Sequence, residues 1–496
     1  MFVETKQELE LIILKEDYAL LLSANFITYK NMEGVFYMEN TENMDPKSLY
    51  YLEKAPVSKA IIHMAIPMIL SSIASVVYNI IDAFFVGKLN NTAMMAAVIL
   101  ALPFSLVLMA IGQMFGVGSG TYISRLLGEG NTDNTKKVSS INLWSSMLMG
   151  IILMMICLPL LSYMLPLLGA SGETLQYTRN FVMVLVIGAP IIIVNMALDA
   201  AVRAEGASTI SMTGTIAGIM INIILNPFFI FVLNMNVMGS ALASVCGNIV
   251  SVLYFVYYLQ KKSTVQSLSI KDFKPSKEIY GEIFKVGVSA LLMSGFFVII
   301  SLLFNNYSMI YGDSVVAGFG IAQRVVQIVD CIGMGFAMGV VPLIAFAYSA
   351  NNQKRLMEIV KKTILYMLGL TLTLGAVLFV LRLQIIGIFS MDPNVIAIGQ
   401  ITLIAQLSST VFAALCEFFT GIFQAQGDGV KSNIMAAVRG VLFVPILIVG
   451  NLIFAVNGVV WAMTATEGLS CLIGIALWLG IRRKSLLEIS MNKQIS

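Results

Sequence analysis

Asp82 stands inside an unbroken apolar run with Asn79 three residues before it. Asn222 and Asn226 lie four residues apart in another such run, and Ser244 falls in the next. Further on, Gln323, Gln327 and Asp330 fall at i, i+4 and i+7 with Arg324 beside them, and Glu417 stands in a later run. A charge in hydrocarbon costs about 2.5 to 3.5 kcal/mol on insertion scales, so such a group is expected to face a cavity and to have a task there. A membrane-embedded carboxylate can be occupied by a proton or by a cation, and amide oxygens beside it can act as further ligands. Each group also has a plainer reading. Asp82 could be an interfacial carboxylate, Asn222 and Asn226 could tie helices together by hydrogen bonds, Arg324 and Asp330 could neutralise one another through the glutamines, and Glu417 could pair with a neighbouring helix.

The elements that carry these residues are membrane helices. The chain has 496 residues, of which 58% are hydrophobic and 11% charged, against roughly 25% charged in soluble proteins. Apolar windows of about 20 residues, enough to cross the bilayer core as a helix, recur about twelve times between Ala60 and Ile481. The runs are continuous rather than short and alternating, which excludes a β-barrel. Most lysines and arginines, among them Arg125, Lys136, Lys137, Lys261, Lys262, Lys354, Arg355, Arg482 and Arg483, fall on one side of a twelve-span arrangement. The positive-inside rule then places both termini and the loop around Lys261 in the cytoplasm.

The two halves of the chain repeat one another. Gly112, Gly118, Asn131, Ala204 and Gly206 recur as Gly333, Gly339, Asn352, Ala425 and Gly427 at one offset of about 221 residues, and Gly239 and Gly458 follow with a small slip. A duplication of this size within a membrane protein is a transporter signature. The expected fold is therefore all-α: twelve transmembrane helices in two six-helix bundles, residues 57–260 and 279–484, joined by a cytoplasmic linker 261–278 and followed by a tail 485–496. Residues 1–56 have no repeat partner and read as a dispensable cytoplasmic extension, with an alternative start at Met32, Met38 or Met44. Pro67, Pro103, Pro159, Pro190, Pro227, Pro342 and Pro445 lie inside predicted spans, where each can bend its helix. No GxxxxGK[ST] loop is present, so ATP is not an energy source carried by this chain. Cys157, Cys246, Cys331, Cys416 and Cys471 form no CxxC pair, and the lone His63 cannot build a histidine metal site.

Several stretches carry a family resemblance. Tyr78 to Gly87 (YNIIDAFFVG), the glycine-rich Gly116 to Gly120 leading into Ser124 to Asn131, Arg203-Ala204-Glu205-Gly206, Asn222 to Pro227 and Gly239 to Ser244 occur in order. Together they resemble the multidrug and toxic compound extrusion (MATE) family, over about residues 57–484, and the branch that includes DinF-like and staphylococcal-type exporters. The resemblance implies a twelve-helix antiporter that admits H⁺ or Na⁺ and expels amphipathic, often cationic compounds. It needs no other cofactor and no nucleic-acid partner, and works in the cell membrane with nothing that demands more than a monomer. It further implies a cation-coupling site at Asp82, Asn79, Asn222, Asn226 and Ser244, in which Asn226 replaces the family's second acid. One carboxylate weakens Na⁺ trapping and removes like-charge repulsion from Asp82, which puts the coupling ion in question.

The second half is not a copy at these positions: Leu303 stands where Asp82 would recur and Met109 where Asp330 would. Gln323, Arg324, Gln327, Asp330 and Glu417 are accordingly the expected substrate contacts. Arg125, Glu129, Arg203, Glu205 and Asp428, at helix ends, are expected to make gating or capping contacts. A lipid or lipid-linked saccharide flippase of the same superfamily is the alternative, for which a markedly basic cavity and extra helices are expected. A polytopic membrane enzyme is poorly served by one histidine and no paired catalytic motif.

Overall fold

The computed structural model describes residues 46–495, and the side chains of 49–480; among the described residues there are helices and no strands. Among the described residues, twelve helices are long and apolar enough to cross a membrane: α1 (Val57–Gly87), α2 (Thr92–Gly128), α3 (Thr132–Leu167), α4 (Glu173–Ala204), α5 (Ser208–Val232), α6 (Asn236–Lys261), α7 (Lys277–Met309), α8 (Asp313–Ser349), α9 (Gln353–Val380), α10 (Pro393–Ala425), α11 (Gly429–Phe454) and α12, whose apolar span is Val456–Gly480. Residues 1–45 of the expected extension, with the three alternative starts, lie outside the described residues. The stretch Pro46–Glu53 forms a short helix, and Arg355 donates to the carbonyl oxygens of Tyr51, Leu52 and Ala55 at its end (3.1, 3.1 and 2.8 Å). Leu52 and Ala55 are fully buried, and His63 stacks on the Tyr51 ring with centroids 3.6 Å apart.

The repeated residues do matching structural work in both halves. Asn131 and Asn352 cap α3 and α9, each side-chain oxygen accepting a backbone N–H three residues on (3.1 and 3.0 Å), as expected for an N-cap. Gly206 and Gly427 turn the chain after α4 and α10 at φ +90° and +72°, where a Cβ would be strained. A Cβ placed at Gly112 would lie 2.8 Å from that of Met196, and one at Gly333 2.8 Å from that of Ala414, so α2 crosses α4 as α8 crosses α10.

Gly118 and Gly339 make an equivalent pair between the halves. A Cβ on Gly118 (α2) would fall 2.2 Å from the carbonyl oxygen of Ile283 (α7), and one on Gly339 (α8) 2.5 Å from that of Met64 (α1). This seam runs along one end of the helices, on the side of the α6–α7 linker. There, Ile61, Met64, Ile123, Ile283, Phe336, Val340, Phe346 and Phe423 share one apolar cluster. Arg125 of α2 bonds Glu282 of α7 across it at 2.9 Å. Towards the other side α1 loses its burial, with only Val86 buried beyond Ser72, and α8 keeps Val315, Phe319, Ala322, Val325 and Val329 buried within its own half while Gln323, Arg324, Gln327 and Asp330 form an exposed face.

Local chemistry shapes single helices too. At Pro227 the missing N–H breaks the α-helical ladder, and the next five residues, Phe228–Val232, wind as a π-helix. The linker is pinned to α3 by Trp144 Nε1 on the Leu268 carbonyl (3.2 Å) and Ser140 Oγ on that of Ser269 (2.7 Å). Asp428 caps α11 and pairs with Lys431. Burial pushes its carboxyl up, but the side-chain and backbone bonds from Lys431 outweigh this and hold it below the ordinary carboxylate range.

Because the seam is backbone against backbone, Gly118→Ala is expected to destabilise the purified protein by about 1–3 kcal/mol through overpacking, read as a lower melting midpoint. Gly295→Ala, whose Cβ meets nothing within 4 Å, is expected to leave the midpoint unchanged.

Candidate functional site

The first polar cluster is built from three helices that each present residues at i and i+4, the spacing that stacks side chains on one face. α1 supplies Tyr78 and Asp82, α5 Asn222 and Asn226, and α6 Ser240, Ser244 and Asn248. Asp82 Oδ1 accepts hydrogen bonds from Asn226 Nδ2 and from Ser240 Oγ, both at 2.6 Å. One turn away, Ser244 Oγ lies 3.0 Å from both Tyr78 OH and Asn222 Nδ2. Since Ser244 donates to the Ser240 carbonyl at 3.1 Å, its oxygen serves the other two as an acceptor.

Asn222, Asn226 and Ser240 are buried, while Asp82 and Tyr78 are half-buried. The Oδ1 atoms of Asn222 and Asn226 are buried with no hydrogen-bond donor. Buried acceptors are normally satisfied, so these two carbonyl oxygens, one on the amide that bonds Asp82 and one a turn away on α5, are spare acceptors of the kind a cation takes. The network continues through Asn248, which donates to the Ser244 carbonyl (2.8 Å) and accepts from Asn195 of α4 (2.6 Å). Asp199, one turn further along α4, takes Arg203 and Ser211.

Of the five residues expected at the cation-coupling site, Asp82, Asn222, Asn226 and Ser244 are thus brought together. Asn79 is not part of this network: it is exposed, and the hydroxyl of Tyr78 takes the place expected for it. Sequence reasoning passed over Tyr78, Ser240, Asn248 and Asn195. The signal was present, since Ser240, Ser244 and Asn248 repeat at intervals of four on α6 as the two asparagines do on α5.

The second cluster lies in α8, α10, α11 and α12. Gln323, Arg324, Gln327 and Asp330 all lie on an exposed face of α8, and no ion pair joins Arg324 to Asp330 among the described residues. Glu417 does meet a neighbouring helix: its Oε1 lies 3.8 Å from Nη1 of Arg439 on α11. Arg439 is in turn bound by Glu467 of α12 at 2.6 Å. Neither Arg439 nor Glu467 was singled out from the sequence, although each is a charge inside an apolar run and was detectable on that ground. Of the helix-end residues, Arg125 spans the seam, Arg203 pairs with Asp199 of its own helix, and Glu205 Oε2 accepts from Ser263 and Gln266 (2.7 and 2.9 Å).

Twelve duplicated membrane helices holding a few polar clusters define a secondary transporter rather than an enzyme. The chain belongs to the MatE family, whose model matches it twice, at residues 67–228 and 286–449. It is 37% identical over 429 residues to the multidrug export protein MepA of Staphylococcus aureus (strain MSSA476), an alignment that spans 86% of this chain and 95% of that protein. The MepA of Staphylococcus saprophyticus aligns with the same identity and coverage. Among solved structures, the outward-facing conformation of a multidrug resistance MATE family transporter of the MOP superfamily superimposes with a TM-score of 0.84. That match has 25% identity and covers 89% of this chain and 99% of the other.

Asn226→Leu removes one of the two donors to Asp82. It is expected to destabilise the protein by about 1–3 kcal/mol, the cost of a desolvated group losing its partner, measured as a fall in the melting midpoint. Asn79→Leu, outside the network, is expected to leave the midpoint where it is.

Proposed function

We propose that this transporter is a cation-coupled antiporter that exports amphipathic organic cations, with H⁺ or Na⁺ taken up at Asp82 as the driving ion. The observation that carries the reading is the Asp82 carboxylate, half-buried, tied to α5 and α6, and flanked by the two unpartnered amide oxygens of Asn222 and Asn226. A proton or a sodium ion on Asp82 competes with the bonds from Asn226 and Ser240. Occupancy therefore changes how firmly α1 is held by α5 and α6, and the other end of α1 forms the seam with α8. Coupling is thus mechanical: the helix that carries the ion site also carries the closure between the two bundles.

The substrate is assigned to the second cluster by its charge. Asp330, Glu417 and Glu467 outnumber Arg324 and Arg439, which favours a cation over the anionic headgroup a lipid-linked saccharide flippase would bring. The staphylococcal relatives, named as multidrug export proteins, support drug export as the activity. In this reading both termini and the linker side are cytoplasmic, the seam closes the cavity on that side, and the transporter works as a monomer.

Reconstitution in liposomes tests it. With an H⁺ or a Na⁺ gradient imposed separately, the wild type is expected to drive counter-movement of a fluorescent organic cation under one of them. Asp82→Asn is expected to abolish that coupled flux while equilibrium binding of the dye persists. Coupled flux undiminished in the mutant would overturn the assignment of Asp82.

A further inference from the structure

Inside the second half, three charged side chains from α10, α11 and α12 meet. Arg439 donates from Nε and Nη2 to Oε1 of Glu467 (2.9 and 2.6 Å), and its Nη1 lies 3.8 Å from Oε1 of Glu417. Glu467 is only 2% exposed, and its second oxygen, Oε2, is buried without a hydrogen-bond partner. Glu417 and Arg439 differ in this respect, with side chains 25% and 18% exposed. Asp330, exposed on α8, lies within coulombic range of all three.

The first half shows a neutral link at the corresponding place. The register that relates Gly239 to Gly458 also relates Asn248 to Glu467, and Asn248 is held by a neutral amide, Asn195. Glu417 and Arg439 stand where the common offset puts Met196 and Gly218. A neutral pair avoids the desolvation cost of ions, so the charged version needs another reason. Its charges also do not cancel, because two glutamates share one guanidinium and a third carboxylate stands nearby. A guanidinium stays protonated under all accessible conditions, so Arg439 is a permanent cation held within an acidic cluster.

We propose that Arg439 is a tethered counter-cation that sets the charge of substrate the second half accepts. It binds Glu467 through Oε1 and reaches Glu417 only at 3.8 Å, and so leaves Glu417 and Asp330 to meet the cationic nitrogen of a substrate. Arg439 is a specificity-determining residue on this view: with it in place the site favours organic monocations, and its removal frees Glu467 and adds one unit of negative charge. The proposal rests on the reading of the second half as the substrate cavity.

Equilibrium binding of two fluorescent dyes to purified protein, the monocation ethidium and the dication 4′,6-diamidino-2-phenylindole, tests it. In Arg439→Gln the dication-to-monocation affinity ratio is expected to rise about tenfold or more, the scale of one added charge at a few ångströms in a partly desolvated site. Arg439→Lys is expected to keep the wild-type ratio. The charge-balanced pair Arg439→Gln with Glu467→Gln is expected to return it, and Glu467→Gln alone to lower it. An unchanged ratio in Arg439→Gln, or a loss of both dyes in equal proportion, overturns the proposal and leaves a structural ion pair. If Arg439→Gln does not fold, an unchanged ratio in Glu467→Gln overturns it equally. Failure of the wild type to bind either dye overturns the cation-export reading itself, and this inference with it.

Discussion

The seam between the halves depends on main chain meeting main chain. At Gly118 against Ile283 and at Gly339 against Met64, the approach leaves no room for a single methyl group. In a bilayer there is little hydrophobic gain in bringing helices together, so dispersion over a close, well-fitted surface has to supply the adhesion. Small residues at the crossing points make that surface. The linker side follows from it: the shared apolar cluster, the burial of one face of the first four turns of α1, and the placing of Arg125 within reach of Glu282.

Close packing at one end also makes the other end available. Of the helices that form the seam, α1 and α8 carry polar residues on their remaining lengths, on faces that are half-buried or exposed. A contact of this kind is either made or broken, because a Cβ-sized gap forfeits most of the attraction. The contact between the halves is therefore sharply defined, and α1 itself connects it to the Asp82 cluster.

The duplicated architecture let the two halves divide the chemistry. In the first, one carboxylate is embedded among neutral donors and acceptors, from Asn226 and Ser240 on to Asn248 and Asn195. In the second, Glu417, Arg439 and Glu467 replace that neutral network by charges that attract and compete. The backbone positions are equivalent, since the same glycines and asparagine caps recur. The side chains that project between the helices were free to diverge, because membrane helix packing fixes the small residues at crossings far more strictly than the groups lining a cavity.

Much of this was legible in the chain. Continuous apolar runs determine the number of spans, since a membrane helix must satisfy its own backbone and be long enough to cross. The offset between Gly118 and Gly339 determines that the halves are copies, and the isolation of Asp82, Asn222, Asn226 and Ser244 in apolar runs marks them as interior. Partnership was not legible, because it depends on which faces of non-adjacent helices meet. The choice of Tyr78 over Asn79 turns on the rotation of α1 against α6, a difference of one residue that spacing along a single helix cannot resolve. The joining of Glu417 to Arg439 and Glu467 required three helices to be placed at once. Sequence therefore determined which groups must leave the lipid, through the cost of a polar atom in hydrocarbon. Only the tertiary structure decided whom each of them meets, because that is set by the crossing geometry of helices far apart in the chain.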